Sequence, residues 1–130
     1  MLSTPMVSTP AVSTPLLPAR EAFTLSVASE PGRVSVRWTA RPGYHVYRSS
    51  IGLSVADPDI HVGAPAIVVR QSPSGAVMLD ARFPYCGIGS GPVSPVPIVV
   101  KAQGCHLASP SVCYMPQRRH LHVTLPKHAC

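Results

Sequence analysis

Sixteen prolines are spread along 130 residues, and they constrain this chain more than any other feature. Each proline removes a backbone donor, and its ring clashes with the preceding helical turn. Little room is left between them for a long helix, so short strands and turns are expected. The hydropathy pattern agrees. "AFTLSVA" places Phe23, Leu25 and Val27 on one face. "RVSVRWTA" places Val34, Val36 and Trp38 on one face, with Arg33, Ser35 and Arg37 on the other. Alternation with period two marks a half-buried strand. "EPGR", Glu30 to Arg33, lies between the two segments as a turn, which makes them a hairpin.

The rest of the chain reads the same way. Arg41-Pro42-Gly43 signals a turn, and "YHVYR" follows as a strand. "GAPAIVVRQ" and "GAVMLDA" are strands flanking the turn "SPSG". "CGIGSGPVSPVP" is loop-like, and "PIVVKAQGC" is a further strand. "RHLHVTLP" closes the domain with Leu121, Val123 and Leu125 facing inward. About seven short strands and no helix give an all-β chain, built as a β-sandwich.

The first residues differ in kind. "LSTPM", "VSTPA" and "VSTPL" repeat with a period of five, with Pro5, Pro10 and Pro15 in register. Such a stretch is an extended, solvated linker. The chain is therefore divided into a disordered linker, 1–20, and one domain, 21–130. Residues 1–20 lack a basic start, and prolines break every apolar run, so no export signal is legible there. No stretch approaches the roughly 20 apolar residues of a membrane helix, and no membrane span is expected.

Apolar residues are 45% of the chain, enough for a core, and charged residues only 12%. The formal charge of +6 favours acidic partners, anionic surfaces or nucleic acid. The basic residues are scattered, however, apart from Arg118, Arg119, His120 and His122. Aromatic residues, at 5%, are too few for a base-stacking platform. Nucleic acid is therefore not the expected partner.

Four cysteines, Cys86, Cys105, Cys113 and Cys130, permit three full pairings. Cys105 and Cys113, in "AQGCHLASPSVCYMP", stand close enough for three readings. As a staple they close a loop of nine residues counting both ends, worth roughly 2.6 kcal/mol by chain entropy. That loop is local and ties no distant strands together. As metal ligands they are too widely spaced for a usual zinc knuckle, even with His120 and His122 nearby. Those histidines fit a solvated strand face better. As a redox pair they need a thiolate, which positive neighbours such as Arg118 and Arg119 favour. On spacing and composition alone, staple and redox centre stand level.

The motifs add a resemblance. "QGC", followed after seven residues by "CYMP", resembles the "QGC…CYPP" signature of the N-terminal periplasmic domain of the thiol:disulfide interchange protein DsbD. "PGYHVYRSSI" resembles that family's "DGYYLYR" segment, and the likeness runs from about Glu21 to Leu125. Membership implies an immunoglobulin-like β-sandwich with the redox pair at one end. By position, Cys113 resembles the cysteine that forms mixed disulfides with partners, and Cys105 its resolving partner. Tyr47 matches the second tyrosine of the "YxYR" motif, and His45 stands where the family has another tyrosine. Tyr44 and Tyr114 are the remaining supporting residues beside the pair, with core packing as the plainer role for Tyr44 and Tyr47. The family shields its cysteines with an aromatic cap loop. The candidate is "DARFPYCG", with Phe83 as the shield and Tyr85 as the alternative, against an ordinary core role for Phe83.

The resemblance also implies a function. The chain is expected to relay reducing equivalents by thiol–disulfide exchange, as an oxidoreductase module in the periplasm. Its donor is the thioredoxin-like domain of a DsbD-type protein. Its acceptors are periplasmic disulfide isomerases and cytochrome c maturation thiol proteins. No metal, nucleotide or flavin cofactor is needed, because the electrons travel as thiols. Three departures stand out: a shortened stretch at "GIGSGPVSPVP" that drops or trims an edge hairpin, a longer intercysteine loop containing Pro110, and the extra Cys86 and Cys130. The latter are expected to pair, react with other molecules or scramble with the redox pair. The competing class is a non-catalytic immunoglobulin-like binding module in which Cys105–Cys113 is an inert staple.

Overall fold

The computed structural model describes residues 16–87 and 95–130. Most of the proline repeat, and the core of the shortened "GIGSGPVSPVP" stretch, lie outside the described residues. The elements in order are a short helix α1 (Ala19–Ala22), then β1 (Phe23–Glu30), β2 (Arg33–Ala40), β3 (Tyr44–Val46), a 3-10 turn (Arg48–Ser50), β4 (Gly52–Val55), β5 (His61–Val62), β6 (Ala66–Gln71), β7 (Val77–Cys86), β8 (Pro95–Ala102), β9 (Gly104–His106), β10 (Val112–Cys113) and β11 (Gln117–Thr124).

All strand pairs are antiparallel. The larger sheet runs β1-β2-β7, and both β6 and β5 pair with the free side of β7. A second sheet runs β11-β8-β4, and a small third sheet runs β10-β9-β3. The expected hairpin is present, with Leu25 opposite Trp38 and Val27 opposite Val36. Its turn needs Gly32, which has φ 82, a left-handed conformation that costs glycine nothing. The alternation sorts the faces as physics requires. Val34, Val36 and Trp38 of β2 and Leu79, Ala81 and Phe83 of β7 are buried together with Ile98, Val100 and Ala102 of β8. Leu121 and Val123 pack against the same core from β11, and Leu125 is buried in it. The result is an all-β, immunoglobulin-like sandwich with one core between the larger sheets.

The structure corrects two readings. One helical turn exists, because the Pro18 carbonyl accepts hydrogen bonds from the Glu21 and Ala22 amides. It begins within residues 16–20, which composition assigns to the linker, and Leu17 in that stretch bonds to two tyrosines, as described below. There are also more strands than seven, since long apolar runs are cut where the chain changes sheet. "PIVVKAQGC" is two strands. Ala102 pairs with β11, whereas Gly104 pairs with β3. "YHVYR" stops as a strand at Val46, because Ser50 donates its hydroxyl proton to the Tyr47 carbonyl at 2.6 Å and curls the chain into the 3-10 turn.

Candidate redox site at the Cys105–Cys113 disulfide

The site is the small sheet. Cys105 sits at the centre of β9, opposite His45 on β3 and opposite Cys113 on β10. Residues directly opposite on antiparallel strands project to the same face, so His45, Cys105 and Cys113 form one row across three strands. Cys105 and Cys113 are joined as a disulfide, with Cα atoms 3.9 Å apart. The two sulfurs are not equivalent. Cys105 is 2% exposed, whereas Cys113 is exposed.

Gly104 makes this packing possible. A Cβ there meets the Phe23 ring at 2.5 Å and the His45 carbonyl at 2.8 Å. Only a residue without a side chain lets β9 lie so close to both. Gln103, before it, joins the site to its surroundings. Its amide donates to Ser50 Oγ at 2.8 Å, and its carbonyl accepts from the Tyr47 amide at 3.0 Å. Its side chain donates to the Tyr114 carbonyl at 3.4 Å. On the other arm, the Tyr114 amide donates to the Gly104 carbonyl at 2.9 Å. Both cysteines therefore hang from a bonded frame. The base of the intercysteine loop is closed by His106, whose Nδ1 donates to the Pro110 carbonyl at 2.9 Å.

Four tyrosine and histidine positions expected beside the pair divide into two groups. Tyr47 is exposed, and its hydroxyl oxygen stands 3.5 Å from Cys105 Sγ. With that sulfur in a disulfide, only the hydroxyl has a proton to donate. His45 packs edge-on against the Tyr47 ring, centroids 4.9 Å apart. Tyr44 and Tyr114 instead lie beneath the site. Both meet Phe23 edge to face, at 5.8 and 5.3 Å. The Leu17 amide donates to the Tyr44 hydroxyl at 2.9 Å, and the Tyr114 hydroxyl donates to the Leu17 carbonyl at 2.6 Å. Burial, reinforced by the neighbouring Tyr44 hydroxyl, raises the Tyr114 phenol above its ordinary value. These two rings are the floor of the site, and Leu17 locks them.

The expected cap loop is not a loop. "DARFPYCG" belongs to β7 except for its final glycine. Phe83 is opposite Val34 and 2% exposed, in the core between the sheets. Tyr85 is buried too, and its hydroxyl donates to the Pro126 carbonyl. The reason is the strand period: residues 79, 81, 83 and 85 all fall on the inner face, and an inward aromatic residue there fills the core. The arginines after Cys113 are placed elsewhere as well. Arg119 lies over the Trp38 ring at 5.1 Å and donates to the Phe23 carbonyl at 3.0 Å. Burial, helped by the charge of Arg20, lowers its pKa. Arg118 is exposed on β11, opposite Lys101. His120 and His122 are exposed on the same strand, and among the described residues no group of three or more His, Cys, Asp or Glu side chains is set to hold a metal.

Ser50, Gln103 and Leu17 were not singled out by sequence reasoning as members of the site. Gln103 and Gly104 are at least part of the "QGC" motif. Ser50 and Leu17 carry no local signal, because their partners are 53 and 27 residues away. Near Cys113 in the chain, Leu107, Val112 and Met115 are exposed apolar residues, alongside the exposed Ser109 and Ser111. An exposed cysteine backed by a buried one suits a disulfide that a thiolate attacks from one side only.

Comparison with known proteins agrees with this geometry. The sequence profile of the family described as "Thiol:disulfide interchange protein DsbD, N-terminal" matches residues 13–125. No curated protein sequence matches the chain significantly. Among solved structures, the reduced N-terminal domain of Neisseria meningitidis DsbD is similar, with 26% identity and a TM-score of 0.66 over 84% of this chain and 90% of that one. The complex of the DsbD N-terminal and PilB N-terminal domains from Neisseria meningitidis contains the same fold, with 23% identity and a TM-score of 0.54 over 85% of this chain and 88% of that one. No helix among the described residues is long and apolar enough to cross a membrane. With its profile match over most of its length and its disulfide set in the small sheet, the chain belongs to the family of the N-terminal domain of the thiol:disulfide interchange protein DsbD.

Proposed function

We propose that this chain is a relay module that carries reducing equivalents in the periplasm through Cys105 and Cys113. The observation that carries the reading is the asymmetry of the pair, one cysteine buried and the other exposed. In the reduced domain the Cys113 thiolate attacks a partner's disulfide. A Cys113–partner bond forms, and the partner's second sulfur leaves as a thiolate. Cys105 then attacks Cys113 Sγ, closes the internal disulfide and releases the partner with two electrons gained. A donor dithiol restores the pair by the reverse attack on the exposed Cys113. Exposure directs every intermolecular bond to Cys113 and leaves Cys105 to resolve it.

Supporting residues follow from their positions. The Tyr47 hydroxyl stabilises a thiolate at Cys105 by a charge-assisted hydrogen bond. His45, in the same row, orients the Tyr47 ring. The donor is the thioredoxin-like domain of a DsbD-type protein, and the acceptors are periplasmic disulfide isomerases and cytochrome c maturation thiol proteins. The complex between the DsbD N-terminal and PilB N-terminal domains from Neisseria meningitidis supports a protein partner. The working unit is the domain 21–130 with the Leu17 lock added to it.

The test is a titration of the purified protein against glutathione, with free thiols trapped and mapped by mass spectrometry. A reversible transition of Cys105 and Cys113 in the folded protein is expected, together with loss of partner reduction in a Cys113→Ala variant. A pair that stays oxidised until the fold is lost, or a Cys113→Ala variant that reduces partners at the wild-type rate, would sink the reading.

A further inference from the structure

A second disulfide joins Cys86, at the end of β7, to Cys130, with Cα atoms 4.9 Å apart. It stands at the far end of the larger sheet from the first. Arg33 of β2 faces Pro84 near Cys86, while Ala40 faces Val77, which shares a cavity wall with His45 and Tyr47. Eight strand residues separate the two ends by roughly 23 Å. The two pairs are thus too far apart to exchange within one folded molecule.

Cys130 lies beyond the residues 13–125 that match the family. It lies in a strap, 126–130, laid across the end of the sheet. Two backbone hydrogen bonds between Gly87 and His128, at 2.7 and 3.3 Å, and the Tyr85 hydroxyl on the Pro126 carbonyl tie it down. The His128 ring fills the space that a side chain at position 32 needs. Residues 127–130 are otherwise exposed. The disulfide is therefore the strongest single tie on the strap, and little of the core depends on it. A cavity of about 510 Å³ lies directly against both cysteines, walled by Val62, Pro84, Tyr85 and Ala129. It leaves room for an incoming side chain. The sulfurs are again unequal, Cys130 exposed and Cys86 half-buried.

We propose that Cys86–Cys130 is a second thiol–disulfide exchange site, addressed by a dithiol from solution, whose reduction unlatches the 126–130 strap. One thiolate of the dithiol attacks Cys130 Sγ. The sulfur–sulfur bond breaks, and its electron pair leaves on Cys86 as a thiolate. The second thiol of the reductant attacks its own sulfur in the mixed disulfide and frees Cys130. The dithiol becomes a disulfide, and the two protons it gives up are matched by those the two cysteines take up. The strap then has only its hydrogen bonds, and the sheet edge at Cys86 and the cavity beside it open.

The experiment uses the wild-type chain and a Cys105→Ser/Cys113→Ser double variant, each titrated with dithiothreitol. Alkylation maps the thiols, amide exchange follows Gly87 and His128, and far-ultraviolet circular dichroism follows the sheets. In both proteins Cys86 and Cys130 are expected to become alkylated together while the β signal is intact. Exchange at Gly87 and His128 is expected to rise roughly tenfold or more, as for a local opening, with the β1–β2 amides unchanged. Thiols that appear only in step with loss of the β signal would overturn the proposal, as would reduction seen in the wild type alone, since it would mean scrambling from the first pair. Neither result bears on Cys105–Cys113 as a relay, which is read separately by its own alkylation in the wild type.

Discussion

The hydroxyl of Tyr47 stands 3.5 Å from the sulfur of Cys105. It is the polar group that meets the buried member of the disulfide, while the other member opens to solvent. A hydrogen bond to a thiolate is stronger than one to a neutral disulfide sulfur, so this contact favours the reduced, ionised form.

Removing that hydroxyl should therefore slow resolution. In Tyr47→Phe the mixed disulfide at Cys113 is expected to persist about fourfold longer at neutral pH, since a charge-assisted hydrogen bond of about 1.5 kcal/mol raises the thiolate fraction while roughly half of that gain is lost to the weaker nucleophilicity of a stabilised thiolate. Rapid quenching with an alkylating agent measures its lifetime. An unchanged lifetime would mean that Tyr47 is packing only.

Gly104 is held by sterics. Gly104→Ala pushes a methyl group into Phe23 and the His45 carbonyl, and overpacking of this kind costs about 1–3 kcal/mol. Urea unfolding should show a lower midpoint with an unchanged slope. A midpoint equal to the wild type would show that β9 can move away from β3 freely.

Leu17 should act as the lock on the aromatic floor. Deleting residues 1–17 removes both hydrogen bonds to Tyr44 and Tyr114, whereas deleting 1–15 leaves them. Each bond contributes about 1 kcal/mol, so the longer deletion is expected to lower the unfolding free energy by about 2 kcal/mol relative to the shorter. Equal stability of the two would remove the lock.

Phe83 distinguishes core from cap. Phe83→Leu leaves a smaller side chain between the sheets and should cost on the order of 1–2 kcal/mol. Glutathione exchange at Cys113 should keep its wild-type rate. A faster rate at unchanged stability would restore a shielding role to this residue.

Asp80 sets the acid response of the sheet surface. Its carboxyl is held below the usual value first by the Arg37 hydrogen bond, with the charges of Arg37 and Arg70 adding and partial burial opposing. Arg37 Nε donates to it at 2.6 Å and Arg70 Nε at 3.0 Å. A carboxylate with a lowered folded value stabilises the fold above its unfolded value near 3.9, and that stability is lost as pH falls through the folded value. Melting temperature should thus fall more steeply below about pH 4 in the wild type than in Asp80→Asn. Parallel curves would show that the arginine pairs contribute nothing.

What was legible in the sequence was local. Period two in "RVSVRWTA" and "RHLHVTLP" put Val34, Val36, Trp38, Leu121 and Val123 on the correct faces, because a strand alternates its side chains whatever it packs against. "EPGR" and "SPSG" located their turns, with Gly32 and Gly75 at positive φ. "QGC…CYMP" pointed to the pair that the structure joins. For Phe83 the resemblance invited a cap and an ordinary core role stood beside it, and only the pairing of β7 with β2 separates the two.

Everything that depended on distant neighbours was decided by tertiary structure. Whether Cys86 and Cys130 pair was decided by the approach of 126–130 to β7, and Cys105 and Cys113 are held together by that of β10 to β9. Arg119 lies over the Trp38 ring and donates to the Phe23 carbonyl, partners far away in sequence that no local pattern shows. Burial of Cys105 and exposure of Cys113 arose because β9 lies between two strands and β10 at an edge. A residue's own sequence surroundings set which way it points along a strand, but its solvent access and contacts are set by whatever the rest of the chain lays over it.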